Sequence, residues 1–152
     1  MLRVTAVVFA AAAFAAGCGA SAPPPTDREW VANARGVVEQ LRGDIVVVSG
    51  YDRVAAARAG LRDESQLYGL LVAYTDFGGC HHMVAAVGVE PPRLASVVQS
   101  LHRACLHLQH ADLLFTRSVA RRAPRLLTAA TRQARAAEPA LNAAALELAR
   151  AR

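Results

Sequence analysis

Residues 94–119 read LASVVQSLHRACLHLQHADLLFTRSV, and the spacing of the apolar residues in this stretch decides the fold. Leu94, Val98, Leu101, Cys105, Leu108, Phe115 and Val119 recur with the period of one face of an α-helix. Upstream, Gly88 to Pro92 makes a turn, and Pro91-Pro92 suits the opening of a helix because the first turn tolerates proline. Before that turn, Leu67, Leu70, Leu71, Tyr74, Phe77, His81, Val84 and Gly88 form a second stripe. Gly60 suits the end of one helix and Asp63, with Gln66 three later, the start of the next.

The same period extends to both ends. Thr26-Asp27-Arg28-Glu29 matches a capping box, in which Thr26 accepts from the Glu29 amide and Glu29 reaches back. Trp30, Ala34, Val37, Leu41, Ile45, Val48, Ala55 and Ala59 follow at helical spacing. Ile45-Val46-Val47-Val48 is β-branched and suits a strand by local propensity. The helical period on both sides overrides it. Gly36, Gly43 and Gly50, seven apart, share one face and would let another helix come close. Beyond Ala123-Pro124, a break and restart, Leu127, Ala130, Ala134, Ala137, Leu141, Ala144 and Leu148 make a fourth stripe. Pro139 should kink or interrupt it near Arg135.

Four amphipathic helices with short connections predict an all-α, antiparallel up-down-up-down four-helix bundle over residues 26–152. The cysteines bear on the register. In an antiparallel hairpin turning near residue 90, Cys80 and Cys105 miss exact opposition by two or three residues per helix, about 4 Å at 1.5 Å per residue. The expectation is one disulfide between them, worth about 3.5 kcal/mol in the chain-entropy account.

Composition agrees. A chain of 152 residues holds one domain. With 54% hydrophobic and 19% charged residues it is too apolar for a disordered chain, and its 3 cysteines are too few for a disulfide-dense mini-protein. Abundant alanine and 5% aromatics favour helices packed through small side chains over an all-β domain. All 17 basic residues are arginine, the signature of a GC-rich genome.

Residues 1–17 read as an export signal: a short basic start at Arg3, then small and apolar residues from Val4 to Ala16. That run is shorter than the ~20 residues a bilayer span takes. It ends in Ala15-Ala16-Gly17-Cys18, small residues before a cysteine suited to lipidation, with Ala15 where leucine is the most usual residue. Residues 18–25, with Pro23-Pro24-Pro25, read as a tether. The competing reading is simple secretion, cut after Ala20-Ser21-Ala22, which discards Cys18. Lipid on Cys18 leaves Cys80 and Cys105 as a pair in an oxidising compartment.

Chemistry-bearing motifs are few. No nucleophile elbow, phosphate-binding glycine loop, Cys-x-x-Cys-His or His-Glu-x-x-His occurs. The expectation is a protein with no enzymatic role and no cofactor. All 5 histidines lie between His81 and His110. Imidazole and thioether ligate copper, zinc or haem iron, so His82, Met83, His102, His107 and His110 define an alternative metal- or haem-binding reading. In the hairpin register Met83 falls near His102 and His82 opposite Arg103. Arg117, Arg121, Arg122 and Arg125 form a basic patch that suits anionic headgroups or polymers. Export, and the lack of aromatics among the arginines, argue against nucleic acid.

The lipobox-like Cys18, the Pro-rich tether, Trp30 early in the first helix and the Ala/Arg-rich helices together resemble small lipoproteins of high-GC, actinobacterial-type cell envelopes. Phe77-Gly78-Gly79-Cys80 and Leu101-His102-Arg103-Ala104-Cys105 look like their paired cysteines. The resemblance implies lipid anchoring to the membrane, an extracytoplasmic location and a structural or partner-binding role, the partner being an envelope protein or an anionic polymer. It carries over no catalytic residue.

Overall fold

The computed structural model describes residues 26–55 and 64–151. The expected export signal and tether, and the helix boundary signals at Gly60 and Asp63, lie outside the described residues. Those residues are helical, with no strand among them: α1 (Asp27–Ala55), α2 (Glu64–Ala86), a 3-10 turn (Pro92–Leu94), α3 (Ala95–Arg121), α4 (Pro124–Ala136) and α5 (Glu138–Arg150).

The capping box opens α1. Thr26 N–H donates to Glu29 Oε2 at 2.8 Å and Glu29 N–H donates to Thr26 Oγ1 at 3.3 Å, so two otherwise orphaned amides find partners. α1 then runs unbroken through Ile45–Val48, because Ile45 and Val48 both enter the core. Burial overrides the strand propensity of the run.

The buried residues reveal a common period. In α1 they include Val31, Ala34, Val38, Leu41, Ile45 and Val48; in α2, Leu70, Ala73, Phe77, Cys80 and Val84. In α3, Val97, Leu101, Ala104, Leu108, Ala111, Phe115 and Ser118 are buried, and from α4 into α5, Ala130, Ala134, Ala137, Leu141, Ala144 and Leu148. Steps of three and four alternate strictly, a seven-residue repeat of the kind that interlocks side chains between helices. The repeat passes through Ala137 without changing phase, so α4 and α5 present one continuous seam across the break before Pro139. Ala137 between them keeps right-handed helical dihedrals, φ −76° and ψ −22°, so the expected kink or interruption is a one-residue break.

Three expectations needed correction. Gly36, Gly43 and Gly50 admit no helix within the fold: a Cβ built on any of them would meet nothing within 4 Å. Their seven-residue spacing places them opposite the seam, on the outermost line of α1. The stripe of α3 runs through Val97 instead of Val98, and Val119 is exposed. α3 packs against α2, α4 and α5, so its buried face is wide and its seam is carried partly by Ala104, Ala111 and Ser118. In α2, Leu71 is exposed and Cys80 and Ala73 take the inward positions.

Specific contacts set which residues meet. Trp30 is buried at the start of α1, and its indole N–H donates to the Gly88 carbonyl after α2 at 3.2 Å. Gln40 Nε2 donates to Asp76 Oδ2 at 2.8 Å. Cys80 in α2 and Cys105 in α3 lie at disulfide distance, with S–S 2.00 Å and Cα atoms 5.4 Å apart. Tyr74 stacks on Phe115 with ring centroids 4.1 Å apart and meets Phe77 edge-on at 5.4 Å. On the other side of α1, Arg35 donates to the Leu148 carbonyl at 2.9 Å, Arg42 to Asn142, and Arg135 Nε to Ser49 Oγ at 2.9 Å. Two buried hydroxyls are satisfied locally: Ser118 donates to the Ala123 carbonyl and Thr131 to the Leu127 carbonyl.

Candidate interaction surface

A helix with a seven-residue seam normally carries polar residues on its outer side. α1 and α2 depart from this over their neighbouring ends. Val46 is 70% exposed, Tyr68 69% and Leu71 54%, and Val47 and Val72 are also exposed. A Cβ on Gly69 would come 3.8 Å from Val47 Cγ1, so these portions of the two helices lie side by side. The result is an apolar face built from both helices and flattened by Gly43 and Gly50. Singly exposed apolar residues are ordinary, whereas a contiguous group marks a contact surface.

Beneath this face lies a carboxyl pair. Asp44 on α1 is pushed up to about 6, first by burial, then by the charge of Asp76 and a hydrogen bond to it. Its Oδ2 is buried with no hydrogen-bond partner. Asp76 is held by Gln40, so the middles of α1 and α2 meet across this polar contact. Burial also raises the carboxyl of Asp112 on α3 from its ordinary value, and this side chain lies close to Gly78. A Cβ at Gly78 would approach its Oδ2 to 2.9 Å, so this glycine, unlike the three on α1, is a position of close approach.

The histidines do not converge. His81 and His102 meet edge-on across α2 and α3 with centroids 5.3 Å apart. His82 is exposed, Met83 packs against the core, His107 pairs with Gln133 at 3.2 Å, and His110 is exposed. Among the described residues no three His, Cys, Asp or Glu side chains group to hold a metal ion. The partner of His102 is thus His81, two residues before the expected Met83.

Arg117, Arg121, Arg122 and Arg125 are all exposed around the turn from α3 to α4, with no ion pair to any described residue. Arg122 ends α3 in the left-handed conformation, φ 48° and ψ 44°, and the following Ala123 N–H donates to the Ser118 carbonyl at 3.0 Å. Apart from this patch, the described residues include a shallow open depression lined by Arg93, Leu94, Glu147, Arg150 and Ala151. Glu147 there accepts from Ser96 across α3 and α5.

The reading of residues in sequence missed the apolar face. It placed Leu71 in the core and read Val46 and Val47 only as a question of helix or strand. The signal was present in α2, whose apolar residues surround the helix instead of keeping to one side. No described helix is long and apolar enough to cross a membrane, so that character does not mark a span. No family model, no curated protein and no solved structure matches this chain.

Proposed function

We propose that this chain is an extracytoplasmic helical bundle, held to the cell membrane by lipid on Cys18, whose role is to bind a protein partner through the outer face of α1 and α2. The observation that carries the reading is the contiguous exposure of Val46, Val47, Tyr68, Leu71 and Val72. Burying such residues against a partner removes apolar surface from water at about 25 cal/mol per Å². The lipid anchor draws its support from Ala15-Ala16-Gly17-Cys18 and the proline tether. The four rods, counting α4 and α5 as one, are read as antiparallel and up-down-up-down. Support comes from contacts that run in opposite order along each pair, such as Trp30 with Gly88 and Gln40 with Asp76. The arginine corner offers a second, electrostatic contact for an anionic envelope polymer. The metal or haem alternative gains nothing from the placement of His82, Met83, His102, His107 and His110.

The test places a photoreactive residue at Leu71 in the full-length chain and irradiates intact cells. A discrete protein adduct that disappears with Val47→Asp is expected. Irradiation that yields no adduct overturns the partner-binding reading. Intact mass of the purified chain checks the anchor: acyl chains on Cys18 are expected, and an unacylated chain beginning at Pro23 refutes them.

A further inference from the structure

On a helix whose buried seam repeats every seven residues, the line opposite the seam meets only solvent or another molecule. In α1 that line holds Gly36, Gly43 and Gly50, each with open space beyond its Cα. Val46 and Val47 flank it, and Tyr68, Leu71 and Val72 extend it across α2. From Gly43 to Gly50 on α1, and from Tyr68 to Val72 on α2, the outward positions carry no charged residue, although charged residues stand elsewhere on both helices.

We propose that this face is the contact between two copies of the chain, with α1 of one copy running parallel to α1 of the other. The inference rests on the reading of the face as a partner surface and names the partner. Three features select a second copy. First, a two-fold axis sets each central residue opposite its own counterpart, so a charge there would face itself. The absence of charge meets that requirement. Second, a seven-residue repeat on identical parallel helices brings like positions together at every rung, and glycine at each rung lets the backbones come close. Third, the area fits. Five partly exposed side chains uncover on the order of 400 Å² per copy. Two copies, with the glycine backbones and a polar rim, reach the roughly 1,200 Å² at which specific interfaces begin.

The test uses the full-length chain in intact cells. Gly43→Cys and Gly50→Cys are introduced separately, since a side chain at either has free space, and Ala120→Cys on the exposed surface of α3 serves as control. After mild oxidation, each glycine variant alone should give a disulfide dimer at twice the mass of the reduced chain from the same cells. Its yield should be on the order of tenfold above that of Ala120→Cys and the unmodified chain, as high local concentration requires. Adding Val47→Asp to Gly50→Cys should abolish the excess while the circular dichroism spectrum stays helical. No excess dimer from either glycine variant overturns the self-contact. Dimer formed only when Gly43→Cys and Gly50→Cys chains are mixed overturns the parallel arrangement. If the Leu71 photoadduct has the mass of an unlike protein, the second copy is overturned while the partner-binding reading stands; without any photoadduct, both fall.

Discussion

Trp30 joins the first turn of α1 to the chain after α2 through one hydrogen bond and complete burial. Trp30→Phe keeps an aromatic ring, removes the indole donor to Gly88 and leaves a small void. It should cost about 1–3 kcal/mol, read as a lower urea midpoint by circular dichroism. Asp44 acts in the opposite sense. Its carboxyl is raised from 3.8 to about 6 in the folded protein, so the native state holds a proton that the unfolded chain gives up between those values. The contribution to stability is therefore complete below about pH 4 and lost as pH rises through about 6. Solvent screens this partly exposed group, so the loss is on the order of 1 kcal/mol. Asp44→Asn removes the titration. The variant should unfold at higher temperature than the parent at pH 8 and match it at pH 4. Equal destabilisation at both pH values would refute the role given to Asp44. A pair of facing carboxyls is invisible in sequence, because Asp44 and Asp76 are 32 positions apart and meet only through the register of α1 on α2.

At the scale of the helix, periodicity carried most of the fold into the sequence. The break at Ala123-Pro124, the interruption before Pro139, and the inward Ile45 and Val48 all follow from local chemistry. The exact seam of α3 did not, because a helix touching three others buries Ala104, Ala111 and Ser118, which no hydropathy pattern distinguishes from surface. Leu71 was placed in the inward stripe for the converse reason: an exposed apolar side chain has the same hydropathy as a buried one. Backbone effects at helix ends and outer faces are separable from both. Arg122 holds the left-handed conformation that glycine adopts without a steric penalty. Arg122→Gly should stabilise by about 0.5–1 kcal/mol. Gly36 sits mid-helix with open space around it, so Gly36→Ala should gain a similar ~0.5–1 kcal/mol by restricting the unfolded chain. Thermal unfolding checks both, with a rise of roughly 2–5 °C each. A fall for Gly36→Ala would show that something packs on that face of α1, and because nothing in the single chain lies within 4 Å of it, that something would be a second molecule.

For the whole molecule, the cross-link between α2 and α3 holds together the two helices that carry the largest aromatic contact, Tyr74 on Phe115. α2 keeps an apolar outer face, so it contributes less than a fully amphipathic helix to the energy that distinguishes inside from outside. Without the cross-link it would be the rod freest to turn that face inward or to associate wrongly. Closing the chain between Cys80 and Cys105 restricts the unfolded ensemble by an amount set by loop length, about 3.5 kcal/mol by chain entropy. The double variant Cys80→Ser/Cys105→Ser should therefore lose about 2–4 kcal/mol in guanidinium unfolding. Reductant should lower the parent's midpoint by the same amount and leave the variant's unchanged. Because α1, α3, α4 and α5 keep their own mutual contacts, most of the helical signal should survive at low denaturant. The inward residues of α2, loosened from the core, should then bind more of a hydrophobic dye than the oxidised chain binds. If the parent's midpoint does not respond to reductant, the pair does not stabilise the fold, and the register of α2 on α3 rests on Tyr74 and Phe115 alone.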